Sequence, residues 1–164
     1  MTLAPPTHFK ADLRAMRFTL YEHLKVDRLF ALDTFAHLSR EECDAVIDQA
    51  YRFASEVTGP LNSPGDRAGA RLEAGRVTTP PGFRQAWKKL FDLGLMPFTI
   101  KSEAGGFGGP NAVGVILQEL QSGANTAFQM YPGLTHGAAD LLEHFALDED
   151  RKRFLPPMLD GRFS

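Results

Sequence analysis

With 164 residues, 43% of them apolar, the chain has the size of one domain and enough apolar mass for a core, which excludes intrinsic disorder. Its 18 basic and 20 acidic residues are spread evenly over both halves, so no basic face marks a nucleic-acid binder. The single cysteine, Cys43, excludes a disulfide framework and any cysteine-based zinc site.

No apolar run approaches the length of a membrane span, and the N-terminus lacks the apolar core of a signal peptide. The expected location is the cytoplasm. Over residues 11–24, Leu13, Met16, Leu20 and Leu24 recur at helical spacing, with Tyr21 alongside. Asp12 and Glu22 argue against a targeting presequence here, because such segments are poor in acids. Leu29, Phe30, Leu32, Phe35 and Leu38 form a short apolar stretch before the next helix. That helix opens on a capping box, Ser39 with Glu42, and carries Val46, Ala50, Phe53 and Val57 on one stripe.

Gly59-Pro60 is expected to end it, and residues 59–82, rich in glycine and proline, read as a long connection. Pro80-Pro81 opens a helix with Phe83, Trp87, Leu90 and Phe91 that stops near Gly94. A loop over 95–110 ends in the cluster Gly105-Gly106-Phe107-Gly108-Gly109. The next helix has Val113, Ile116, Leu117 and Leu120 on one side and loosens near Gly123. A further helical stretch spans about 126–146, with Leu134, Ala138, Leu141, Leu142 and Phe145 as its buried stripe. A final segment from Asp148 to Leu155 is acidic first and basic last, as a helix dipole favours. No strand pattern stands out. The fold class read here is all-α, a bundle of about six helices.

The residues alone carry no persuasive catalytic set. The glycine cluster has Asn111 where a dinucleotide fingerprint needs its third glycine, and it lacks the lysine of a Walker loop. Close backbone packing is the simpler use for such glycines. His136, Asp140 and His144 share one helical ridge, but that ridge faces away from the expected apolar stripe and so toward solvent; no metal site is assigned. Glu119, on the flank of its stripe, is a weak candidate for a buried base, and Cys43 reads as a small, partly buried packing residue.

Four motifs in order carry a resemblance: Leu72-Glu73-Ala74-Gly75-Arg76-Val77-Thr78-Thr79-Pro80-Pro81-Gly82-Phe83, the Gly105–Gly109 cluster, Met130-Tyr131-Pro132-Gly133-Leu134-Thr135-His136-Gly137-Ala138, and Arg153-Phe154-Leu155-Pro156-Pro157-Met158-Leu159-Asp160-Gly161. Together they resemble the N-terminal helical domain of acyl-CoA dehydrogenases. The segment Phe9-Lys10-Ala11-Asp12-Leu13-Arg14-Ala15-Met16-Arg17-Phe18 is similar to an extra N-terminal segment in one bacterial branch of that family. The resemblance divides the chain into an N-terminal helical extension, 1–38, and the helical domain itself, 39–164.

That resemblance implies an enzyme with a helical N-terminal domain, a central β-domain and a C-terminal helical bundle. It implies α,β-dehydrogenation of an acyl-CoA thioester, a glutamate base taking the α-proton while FAD accepts the β-hydride. An electron-transfer flavoprotein would receive the electrons, and the intact protein would be a homodimer or homotetramer. The base and the principal FAD contacts are expected outside this chain, so no residue here is given a catalytic role and the chain alone is expected to be inactive. Phe128, Gln129, Pro132 and Gly133 resemble positions lining the acyl end of the substrate pocket. Two other readings stand beside this one: an acyl-CoA oxidase, and a non-catalytic helical scaffold. An exposed apolar patch and self-association are expected of the isolated chain.

Overall fold

Ser39 caps the first long helix as its spacing predicts: the hydroxyl accepts the Glu42 N–H at 3.2 Å, and helix α2 runs over Arg40–Phe53. Before it, Asp12 caps the short helix α1 (Leu13–Arg17), which continues through a π-helical stretch, Phe18–His23. The computed structural model describes residues 9–163; residues 1–8, part of the signal-peptide reading, and Ser164 lie outside them. The buried stripe of α2 is Cys43, Ile47, Ala50 and Phe53, one turn-position away from parts of the expected stripe, since Val46 and Val57 are only half-buried. Cys43 is fully buried rather than partly so. Burial first, then the neighbouring Asp44 and Glu42 charges, pushes its thiol up to about 11, so no thiolate nucleophile forms at neutral pH.

Gly59-Pro60 does not end the helix. Pro60 lacks an N–H for the carbonyl four residues back, and its ring would strike that carbonyl. The chain answers by widening: Ala54–Thr58 form a π-helical turn, with the Gly59 N–H reaching the Ala54 carbonyl. Helix α3, Gly59–Ala68, then follows with proline in its first turn, where the missing N–H is harmless. The expected long connection thus shrinks to a few residues around a hairpin. Strands β1 (Arg71–Glu73) and β2 (Arg76–Thr78) pair antiparallel, Leu72 opposite Val77. Ala74 and Gly75 both have positive φ, the two-residue turn whose twist suits a hairpin. All six strand residues are exposed, so no alternation of apolar and polar residues announced them.

Helix α4, Phe83–Asp92, starts two residues later than Pro80-Pro81 implies and buries Phe83, Ala86 and Leu90. The loop after it folds back on itself: Gly108 N–H bonds the Ile100 carbonyl at 2.7 Å and Gly109 N–H the Phe98 carbonyl at 2.8 Å. A Cβ on Gly106 would lie 2.0 Å from the Ile100 carbonyl oxygen, so close backbone packing is the use of the cluster.

Helix α5 spans Asn111–Phe145 as one rod broken at Asn125, whose backbone is non-helical (φ −159°, ψ 87°). The expected loosening near Gly123 falls two residues further on. Helix α6, Asp148–Leu159, packs back on α5. The N-terminal segment clasps α2: Arg17 pairs with Asp44 at 3.0 Å and Asp48 at 2.8 Å, and Tyr21 donates to Asp44 at 3.1 Å. Further along, His37 Nε2–H donates to the Phe107 carbonyl at 2.8 Å, tying this segment to the glycine loop. Six α-helices and one small hairpin among the described residues bear out the all-α class. No described helix is long and apolar enough to cross a membrane.

Asn125 joins the two long helical runs. Its Oδ1 accepts the Phe128 N–H at 2.9 Å, capping the second half of α5, and its Nδ2 donates to the Thr58 carbonyl at 2.9 Å beside the π turn. Asn125→Ala removes both buried hydrogen bonds and leaves the Phe128 N–H uncapped, and a loss of about 2–4 kcal/mol is expected in urea unfolding. A loss below about 0.5 kcal/mol would show that the junction does not depend on this side chain. Glycines give a paired check by the same measurement. Gly106→Ala should destabilise by about 1–3 kcal/mol. Gly137→Ala, with nothing near its Cβ on exposed helix, should stabilise by about 0.5–1 kcal/mol.

Candidate functional site

Where α5 breaks, its two halves, α2, α4 and the loop at 95–99 leave a cavity of about 50 Å3. Leu90, Leu95 and Met96 make one side apolar; Gln118, Gln121, Gln129 and His136 bring polar atoms from α5. The wall is drawn tight where Gly114 meets Thr99: a Cβ at Gly114 would lie 2.4 Å from Thr99 Cγ2. Gln121 is fixed by its amide, Nε2 donating to the Ala50 carbonyl at 3.3 Å. Its Oε1 and that of Gln129 are both buried without a hydrogen-bond partner.

Three of the four residues assigned to the acyl end, Gln129, Pro132 and Gly133, line this one cavity. Phe128 does not. Its ring packs edge-on against Phe83 (centroids 5.5 Å apart) and Phe53 (6.4 Å), in the core, and it borders a separate surface groove of about 670 Å3 shared with Val77, Pro80, Trp87 and Tyr131. The cap made by Asn125 explains the split, because it starts a new helix and sets the phase of every residue after it.

That phase also overturns the expected buried stripe. On the second half of α5 the buried residues are Phe128, Pro132, Thr135, Ala139 and Glu143, while Leu134, Ala138, Leu141 and Phe145 are exposed and Leu142 is half-buried. Phe145 is 81% exposed. Polar contacts hold the inward face: Thr99 Oγ1 and His136 Nε2 lie 2.8 Å apart, Glu143 accepts the Lys101 N–H at 3.2 Å, and Arg151 donates to the Glu143 carbonyl at 3.0 Å. An apolar face pointing outward is the expected exposed patch, placed where burial was expected.

The ridge of His136, Asp140 and His144 therefore divides. His136 turns into the cavity wall instead of facing solvent. Asp140 and His144 stay exposed, with ligand atoms of Asp140, Glu143 and His144 within 4.8 Å of one another. His144 Nδ1 is held by the Asp140 carbonyl at 2.9 Å, and Glu143 by Lys101. Glu119 is exposed and lies outside the cavity. Sequence reasoning missed Gln121, His136 and Thr99 as cavity residues. The available signal was Gln121 itself, one residue past Leu120 on a face otherwise filled by Val113 and Leu117.

Burial lowers the His136 pKa below its ordinary value, outweighing the upward pull of Asp140 and Glu143. As pH falls, the unfolded chain therefore takes the proton first. The stability held by neutral His136 is complete above the ordinary histidine value of about 6.5 and is lost as pH drops below it. Urea unfolding at pH 7.5 and 5.0 should show a smaller difference for His136→Gln than for the wild type. Equal differences would mean that His136 is not held neutral by its site.

A sequence profile described as "Acyl-CoA dehydrogenase, N-terminal domain" matches residues 40–162. The chain is 33% identical over 157 residues to a 3-methylmercaptopropionyl-CoA dehydrogenase of Ruegeria pomeroyi, covering 95% of this chain and 26% of that protein. It is 30% identical over 157 residues to a butyryl-CoA dehydrogenase of Syntrophomonas wolfei, covering 93% of this chain and 25% of that one. A broad-specificity linear acyl-CoA dehydrogenase of Mycobacterium tuberculosis is 26% identical over 148 residues, 89% of this chain and 24% of its own. The chain thus spans about a quarter of the length of the curated relatives it matches.

Proposed function

Because the chain belongs to the acyl-CoA dehydrogenase family, we propose that its helices are the N-terminal part of an enzyme that introduces an α,β double bond into an acyl-CoA thioester. In this reading residues 39–164 are the helical domain and 1–38 an extension, whose Arg17 and Tyr21 clasp α2. The observation that carries it is the cavity at the break of α5, where Gln129, Pro132 and Gly133 converge. Its size suits only the last atoms of a substrate, since whole ligand pockets run to about 300–1,000 Å3. Pro132 and Gly133 keep the wall thin on one side, and Leu90, Leu95 and Met96 offer apolar contact on the other.

These residues would position the acyl chain by walling off its end and excluding water. The FAD of the reaction would supply hydride acceptance when bound; its ring system is too large for a space of about 50 Å3, and its site is proposed to lie mainly in parts of the protein outside the chain. The same holds for the base. The outward apolar face of Leu134, Leu141 and Phe145 is read as a surface covered in the intact protein, by further domains or by another subunit of a homodimer or homotetramer. An electron-transfer flavoprotein is the proposed acceptor, and the cytoplasm the proposed location.

Full-length protein should convert saturated acyl-CoA thioesters to enoyl products in the presence of an artificial electron acceptor, followed by mass spectrometry. Absence of any enoyl product would favour the scaffold reading. Gly133→Leu should shorten the preferred acyl chain by about two carbons, because a larger side chain at this lining position takes up cavity space. An unchanged chain-length profile would remove the cavity from the acyl pocket.

A further inference from the structure

The cavity is not chemically neutral. Gln121 is 5% exposed, and its orientation is fixed because its Nε2 is spent on the Ala50 carbonyl. Its Oε1 is left buried and unpartnered, and so is that of Gln129 across the break of α5. Both side chains line the same small space. Of the remaining polar groups of the wall, His136 and Thr99 already satisfy each other at 2.8 Å, and Gln118 is exposed to solvent. Two amide oxygens with nothing to accept from are a demand for hydrogen-bond donors, since such oxygens cannot donate. A terminal methyl group would fill the volume and leave both acceptors buried and unpaired. A hydroxyl would fill it equally well and pair at least one.

We propose that the cavity selects acyl chains whose far end carries a hydrogen-bond donor, a hydroxyl or an amide N–H, held by Gln121 Oε1 and Gln129 Oε1. The inference rests on the acyl-pocket reading above and adds the class of substrate to it. The space of about 50 Å3 has room for a small polar group, since about 10–15 Å3 on this measure holds one water molecule.

The test compares ω-hydroxyacyl-CoA thioesters with thioesters of equal length in which a methyl replaces the hydroxyl, from 4-hydroxybutyryl against pentanoyl upward. Equilibrium binding to the full-length protein is measured for each pair, with dehydrogenation followed in parallel. At the length that reaches the cavity, the hydroxyl ester should bind about tenfold more tightly, the margin of a well-placed hydrogen bond. In Gln129→Leu that ratio should fall to about one, and Gln121→Met should reduce it as well, so the test survives if either variant fails to fold. Equal binding of the two esters at every length, as when a water molecule alone satisfies the oxygens, overturns the inference. So does a preference for the methyl ester. If the hydroxyl preference appears but neither ester is dehydrogenated, the inference stands and the enzymatic reading falls. If neither ester binds, both fall.

Discussion

The side-chain amide of Asn125 is the constraint on which the rest of the structure turns. It sits where two long helical runs lose their regular hydrogen bonding, one at the π turn ahead of Pro60, the other in the middle of α5. The new helix needs its Phe128 N–H accepted, and the buried Thr58 carbonyl beside the π turn offers the amide's N–H an acceptor. One buried amide makes both contacts. A hydrophobic side chain at this position could supply neither contact, and an aspartate could supply only the cap. The identity of the residue follows from the chemistry of the junction.

The break has consequences for everything after it. It resets the rotation of α5 so that Phe128 goes into the aromatic core while Gln129, Pro132 and Gly133 turn toward α2 and the loop at 95–99. It brings Gln121 and Gln129, eight positions apart on what would otherwise be one rod, around a shared space. It also sends Leu134, Leu141 and Phe145 outward. The cavity and the exposed apolar face are two results of the same local event.

Much of the fold was legible from the chain. The Ser39 cap, the stripe from Val113 to Leu120 and the tight use of the glycine cluster all follow from local rules, and the structure keeps them. The misreadings share a cause. Gly59-Pro60 looks like a stop because a local rule does not see the carbonyls upstream rearrange into a wider turn. The hairpin at 71–78 was silent because its turn is Ala74-Gly75 and its side chains are exposed on both faces. The inverted stripe on α5 is the most instructive case. Apolar periodicity identifies a face that wants to be covered, and it does not say by what. Here the described chain turns Thr135 and Glu143 inward, where Tyr131 and Lys101 satisfy them, and leaves the apolar face open. Of the four site residues carried by resemblance, Gln129, Pro132 and Gly133 share the cavity and Phe128 does not; Thr99, Gln121 and His136 were missed because apolar periodicity places a face without showing which polar side chains on or beside it meet a cavity.

The most direct measurement is a crystal structure of the full-length protein with an unreactive acyl-CoA thioether bound. The acyl end is expected within about 4 Å of Gln129, Pro132 and Gly133, beside the break at Asn125. A chain that ends elsewhere, with these three residues closed off from it, would contradict the assignment of this cavity to the substrate.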